Sequence, residues 1–228
     1  MEWPRWEGHG PLSFVASVNC AALPADSLDI PLPADGTLAF FYFDGQVDDG
    51  EALVLPDDPE SRAGARVLYL PAGAPTTERA APPELEPYPM VPLTAGVVAT
   101  APDPYHPLIE ETFAHTGDAD HPVYGDAFLE ALWEAAGEGA DHRIGGHADA
   151  VQNPVEAEVA HAVLGKGTSW DDPRLAEETR GWTLLAQFDS DDGAGMMWGD
   201  CGTLYWLIRP EDLAERRFDK AMFIWQCC

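Results

Sequence analysis

The chain has 228 residues, 46% of them apolar, enough for one large domain or two closely packed halves that bury a core without disulfides or a metal. Forty acidic residues against twelve basic ones give a net charge of −28. This disfavours nucleic acid and anionic membrane surfaces as partners, because both are held through clustered Lys and Arg. A basic protein is the compatible partner, since opposite charge speeds encounter; the plainer reading is a solvated acidic surface.

The first third reads as strands. Residues 12–18 (LSFVASV) are apolar and bounded by Gly10-Pro11 and Asn19, residues 37–43 (TLAFFYF) follow the Asp35-Gly36 turn signal, and residues 66–70 (RVLYL) are a third run. Residues 71–92 hold seven prolines and are expected to form an extended loop. A short strand is expected at 97–100.

The middle, 105–180, is helical in pattern. Asp126 is placed to cap a helix running to Glu138, with Phe128, Leu129, Leu132, Trp133 and Ala136 on one face. Asn153-Pro154-Val155-Glu156 has the form of a helix start, Asn capping and Glu156 reaching back. Val155, Val159, Val163 and Leu164 would then form the buried stripe, ended by Gly165. Asp172-Pro173 opens a further helix that stops at Gly181.

Strands return at 182–188, 203–208 and 221–226, with a turn of helix at 210–216 before the last. Alternation along 203–208 puts Leu204, Trp206 and Ile208 on one face and Tyr205 and Leu207 on the other. Both faces are apolar, which predicts a central strand covered on both sides. The end of the chain also echoes its beginning. FVASVN at 14–19 aligns with LLAQFD at 184–189, DGTLAFFYF at 35–43 with CGTLYWLI at 201–208, and PESRAGARVLYL at 59–70 with PEDLAERRFDKAMFIW at 210–225. The expected fold is therefore α+β: mixed, mainly antiparallel sheets from two similar β-units, residues 10–70 and 181–228 of one domain spanning 1–228, with helices packed outside.

Three segments carry a family resemblance: EWPRWEGHGPLSFVASVNCAALP with PADGTLAFFYF; HRIGGHADAVQN, with His142, Gly145 and Gln152 at the motif positions; and LLAQFDSDD through MMWGDCGTLYWLI to RPEDLAERRFDKAMFIWQC, with Trp198, Gly199 and Asp200. The pattern resembles the YwqG-like family, bacterial proteins mostly without an established biochemical role. The resemblance implies an α+β fold of mixed sheets and brings no catalytic residues. It also implies a lead segment ahead of Trp3-Pro4, so a function that needs that segment is not expected of a chain beginning at Met1.

Chemistry-bearing patterns are few. Asp189, Asp191 and Asp200 fall at positions 1, 3 and 12 of a calcium-loop register, but Ala194 occupies the sharp-turn glycine position and strands flank the loop. A looser, weak Ca²⁺ or Mg²⁺ site is the metal alternative; side chains accepting hydrogen bonds from loop N–H groups, with a turn at Trp198-Gly199-Asp200, is the plainer one. His142 and His147 are five apart across two glycines, unlike a helical zinc pair, and are expected to bond locally. Cys20, Cys201, Cys227 and Cys228 lack metal-ligand spacing. No leader is evident in MEWPRWEGHG, so reduced thiols and a cytoplasmic location are expected. No nucleophile elbow and no phosphate loop occur.

The reading favoured by the sequence is a non-catalytic module binding a basic protein, in an immunity-like setting such as some relatives occupy. Trp3, Trp6 and Trp170 are the aromatic contacts it suggests. The alternatives are a metal-dependent enzyme using the Asp189–Asp200 loop and a small-molecule-binding protein. No resident cofactor is expected.

Overall fold

The structure, a computed structural model, describes residues 2–113, 120–136 and 140–228, without the side chains of residues 133, 135 and 136. The described residues form an α+β fold with three antiparallel sheets. β1 (Arg5–Trp6) and β2 (Gly10–Pro11) make a small hairpin. β3 (Ser13–Asn19), β4 (Thr37–Tyr42) and β5 (Ala65–Leu70) form a meander. α1 (Pro107–Phe113) and α2 (Asp126–Ala136) precede the short β6 (Arg143–Ile144), and α3 (Val155–Leu164) and α4 (Pro173–Thr179) follow it. β7 (Thr183–Asp189), β8 (Thr203–Ile208) and β9 (Met222–Gln226) form a second meander, with β6 added beside β7 and α5 (Pro210–Ala214) before β9.

The two meanders share their register. Asn19 faces Thr37 at one end of β3–β4 and Ser13 faces Tyr42 at the other; Asp189 faces Thr203 and Thr183 faces Ile208 in β7–β8. A bulge falls between Phe14 and Ala16 in one and between Leu184 and Ala186 in the other, the positions the sequence alignment pairs. The glycine before each central strand also matches. A Cβ at Gly36 would meet the carbonyl of Leu70, and one at Gly202 the carbonyl of Gln226, the last residues of β5 and β9.

The meanders pack face to face. Phe40 of β4 meets Trp206 and Phe188 at centroid distances of 5.2 and 5.0 Å, and Tyr42 stacks on Phe223 at 4.7 Å. Leu204, Trp206 and Ile208 enter this layer, while Tyr205 and Leu207 enter a second one with Val155, Val159 and Leu175 from α3 and α4. All six residues of β8 are buried and the strand pairs on both sides, as its two-sided apolar pattern predicts. Each large side chain so covered contributes about 1.5–3 kcal/mol.

Several sequence expectations shift. Residues 97–100 form no strand; no regular element occurs between β5 and α1. α2 ends at Ala136, and the expected continuation to Glu138 lies outside the described residues. Asn153 does not cap α3: Pro154 holds that position, and the Asn153 amide donates to Glu158 at 2.8 Å. Glu156 is buried rather than reaching back, and Ala160 takes the place in the stripe expected of Val163, which is exposed. The Asp172 cap is present, accepting from Arg174 N at 2.9 Å. β6 and the β1–β2 hairpin went unread because a two-residue strand is too short to show a period, and α1 because it opens on His106-Pro107 without the Asp-Pro start that marks the equally short α4.

Candidate functional site

The strands of the second meander carry long polar side chains on the face toward residues 141–153. Gln187 is fully buried. Its Oε1 accepts from Asp149 N at 2.9 Å, and its Nε2 donates to Asp141 O at 3.0 Å and to Asp189 Oδ1 at 3.3 Å. Asp189 accepts from Asp141 N at 2.6 Å and from Thr203 Oγ1 at 2.8 Å. Tyr205 donates to Asp149 O at 2.7 Å. At the far end Gln226 Oε1 accepts from Gln152 N at 3.1 Å, and Gln152 Nε2 donates to Cys227 O at 2.6 Å. The segment 141–153 has almost no regular structure, so these side chains supply the partners its buried backbone requires.

His142 joins this network to the acidic loop. Its Nδ1 accepts from Asp189 N at 3.2 Å, which leaves the ring proton on Nε2, 3.3 Å from Asp191 Oδ2. Asp191 Oδ1 accepts from Gly193 N at 2.8 Å, and Ser190 Oγ accepts from Trp198 N at 2.9 Å. Burial pushes the Asp191 carboxyl up, but the hydrogen bonds from His142 and the loop N–H groups outweigh it and hold it below its ordinary range. Asp200 is exposed in the turn after Trp198, and its carbonyl accepts from Cys228 N at 3.4 Å. Trp198 is buried against Tyr42 and Tyr88. Gly199 has φ 63° and packs on Trp225 and Cys227. Gly145, at φ 71°, starts a double left-handed turn held to Asp29, whose Oδ1 accepts from Gly146 N at 2.8 Å. The motif residues thus serve two places, His142, Gly145 and Gln152 in the 141–153 layer and Trp198, Gly199 and Asp200 in the loop before β8. Among the described residues, no three His, Cys, Asp or Glu side chains are placed to hold a metal ion together.

Beside β6 lies a cleft of about 370 Å³, within the usual size of small-ligand sites, about 300–1,000 Å³. Val98, Pro102, Leu129 and Leu132 give it apolar walls, and Asp103, Asp141, Arg143 and Asp149 its polar ones. The Arg143 side chain is 10% exposed. It donates to His147 O at 2.8 Å and pairs with Asp141, while Asp149 Oδ2 lies 4.0 Å away, beyond hydrogen-bond reach. Arg143 Nε has no hydrogen-bond partner among the described residues. Another hollow, at the Arg5–Gly10 hairpin, is lined by that one turn alone.

Burial shifts two of the cleft's carboxylates, Asp103 and Asp149, and three titratable groups outside its lining, Glu156, His106 and His147. Burial raises Asp103, and the Asp149 charge adds to it; burial likewise raises Asp149, with Arg143 opposing. Glu156 is pushed up to about 7 by burial, and Asp103 contributes. Burial and the neighbouring His147 push His106 down to about 4, and burial lowers His147 too. Clustered perturbed groups around a concavity mark a candidate site.

A family model of a domain of unknown function, DUF1963, matches residues 1–227. The chain belongs to this family. No curated protein matches it. The DUF1963 fold thus brings together what the sequence kept apart: the His142 segment, the acidic loop and the Gln187 strand. Asp103 and Asp149 were missed as site residues because forty acids hide any particular few, and Arg143 because a single arginine carries no motif. Gln187, a long amide amid the apolar run LLAQFD, was the available signal.

Proposed function

We propose that this DUF1963 protein is YwqG-like and is a non-catalytic module that binds a basic protein partner, an immunity-like role being one form. The observation that carries the reading is the stretch 87–102, which has no charged residue in a chain of −28. Met90, Leu93, Val97 and Val98 on it are 94, 63, 60 and 68% exposed. A neutral apolar strip amid acid has the make-up of a contact centre with a charged surround: the surround steers encounter, and the strip supplies lasting affinity. Trp170, 56% exposed and stacked on His161, is a further exposed aromatic. Trp6 is buried and Trp3 half-buried, so these two support the hairpin instead.

The loop oxygens of Asp189 and Asp191 are engaged by protein N–H and O–H groups, which favours binding over metal-assisted catalysis. No helix of the described residues is long and apolar enough to cross a membrane. The test is capture from the native host at low and high salt, with wild type and a Met90→Ser/Leu93→Ser variant. A basic partner should associate more slowly in high salt, since screening acts beyond about 10 Å at 0.1 M, and the variant should release it faster. Acidic or neutral partners held equally in high salt would retire this reading.

A further inference from the structure

The cleft beside β6 is incompletely satisfied from within. Arg143 is committed to Asp141 and to the His147 carbonyl, yet its buried Nε–H has no partner among the described residues. Asp149, whose side chain is 52% exposed, stands 4.0 Å from the guanidinium without a hydrogen bond. Asp103 spends one oxygen on Tyr105 N at 2.8 Å and lies within the field of Asp149. Three carboxylates and one guanidinium thus meet in a concavity whose remaining walls are aliphatic. The carboxylates do not converge as metal ligands do. Adjacent opposite charges that leave each other unbonded are complementary to a ligand bearing the inverse pair.

We propose that this cleft binds a small aliphatic zwitterion of the α-amino-acid class, its ammonium group on Asp149 and Asp103, its carboxylate toward Arg143, and its side chain against Leu129, Leu132 and Val98. Such a ligand gives the Asp103 and Asp149 carboxylates a charge-assisted hydrogen-bond donor and the Arg143 guanidinium, which lines the cleft, a further acceptor. Its alkyl group covers apolar wall that water otherwise wets. The cleft adjoins the neutral stretch 87–102 and shares Val98 and Pro102 with it, but its occupancy is read on the chain alone and does not depend on a protein partner.

The experiment is a nuclear magnetic resonance titration of the full chain, following the Ala148, Asp149 and Ala150 amides. The probes are L-leucine, 3-methylbutylammonium (no carboxylate) and 4-methylpentanoate (no ammonium). Leucine should give saturable shifts at these amides, and each one-charge analogue should bind roughly tenfold or more weakly, the effect of losing one charge-assisted hydrogen bond. Asp149→Asn should weaken leucine by a similar factor. It should leave the rest of the spectrum in place, because only the backbone of Asp149 bonds Gln187 and Tyr205. Glu51→Gln, an exposed acid outside the cleft, should change nothing. The proposal is overturned by the absence of saturable shifts, by 3-methylbutylammonium binding as tightly as leucine, or by equal losses in Asp149→Asn and Glu51→Gln, which would mean diffuse attraction to an acidic surface.

Discussion

The β3–β5 and β7–β9 meanders have the same strand order, bulge and register, yet their outer faces differ. In β3, Ser17 and Asn19 are exposed, and Asn19 accepts from Ala21 N at 3.1 Å in its own following turn. Their counterparts in β7 are Gln187 and Asp189, which reach across to the 141–149 segment. Opposite Ser17 is Ala39; opposite Gln187 is Tyr205, whose hydroxyl bonds Asp149 O. One scaffold therefore ends as a plain sheet where its outer positions are short, and as the base of a polar layer where they are long enough to satisfy another segment's backbone.

The comparison can be broken first at its shared centre. Phe40 and Trp206 occupy equivalent positions and touch. Phe40→Ala and Trp206→Ala should each cost about 3–5 kcal/mol in urea unfolding, since both empty the layer between the sheets. A much smaller cost for Phe40→Ala would mean that the first meander is not part of the same cooperative core.

The outer faces should separate sharply. Gln187→Ala strands the Asp149 N–H and the Asp141 carbonyl, and is expected to cost about 2–4 kcal/mol. Ser17→Ala at the matching exposed site should stay within about 0.5 kcal/mol. Equal effects would dissolve the distinction.

The matched glycines come next. Gly36→Ala and Gly202→Ala should each destabilise by about 1–3 kcal/mol, because the added methyl meets a backbone carbonyl at both positions, together with the Tyr69 ring at Gly36. The Gly36 change also strains φ 86°.

The smallest effect concerns pH and belongs to the covered half. Glu156 lies in α3 with its folded pKa raised from 4.5 to about 7. The folded state therefore favours the neutral acid: no penalty acts below 4.5, and one grows as pH rises through about 7. Glu156→Gln should gain about 1–2 kcal/mol at pH 8 and little at pH 5, measured by thermal unfolding at both pH values. His106 acts in the opposite direction. Its folded pKa is lowered from 6.5 to about 4, so stability present above 6.5 is lost as pH falls toward 4. Across pH 4–8 the two slopes oppose and largely offset each other in the wild type, so the variant separates them: a Glu156→Gln gain of equal size at pH 5 and pH 8 would contradict the Glu156 assignment.

The sequence by itself determined the six long strands of the two meanders. A long apolar alternation is legible because a strand's environment repeats every two residues, so TLYWLI with apolar residues on both faces can only be an inner strand. The repeat was legible for the same reason, its bulge, glycines and register resting on local sterics. The site was not. Arg143, Asp149 and Asp103 acquire their surroundings from contacts 38 to 56 residues away, such as Gln187 and Tyr205 against Asp149. Nothing local distinguishes Asp149 from the acids that lie outside the cleft. Only the folding of segment 141–153 onto the second meander decided which polar side chains lost their solvent, because desolvation depends on what packs above a residue rather than on what precedes it in the chain.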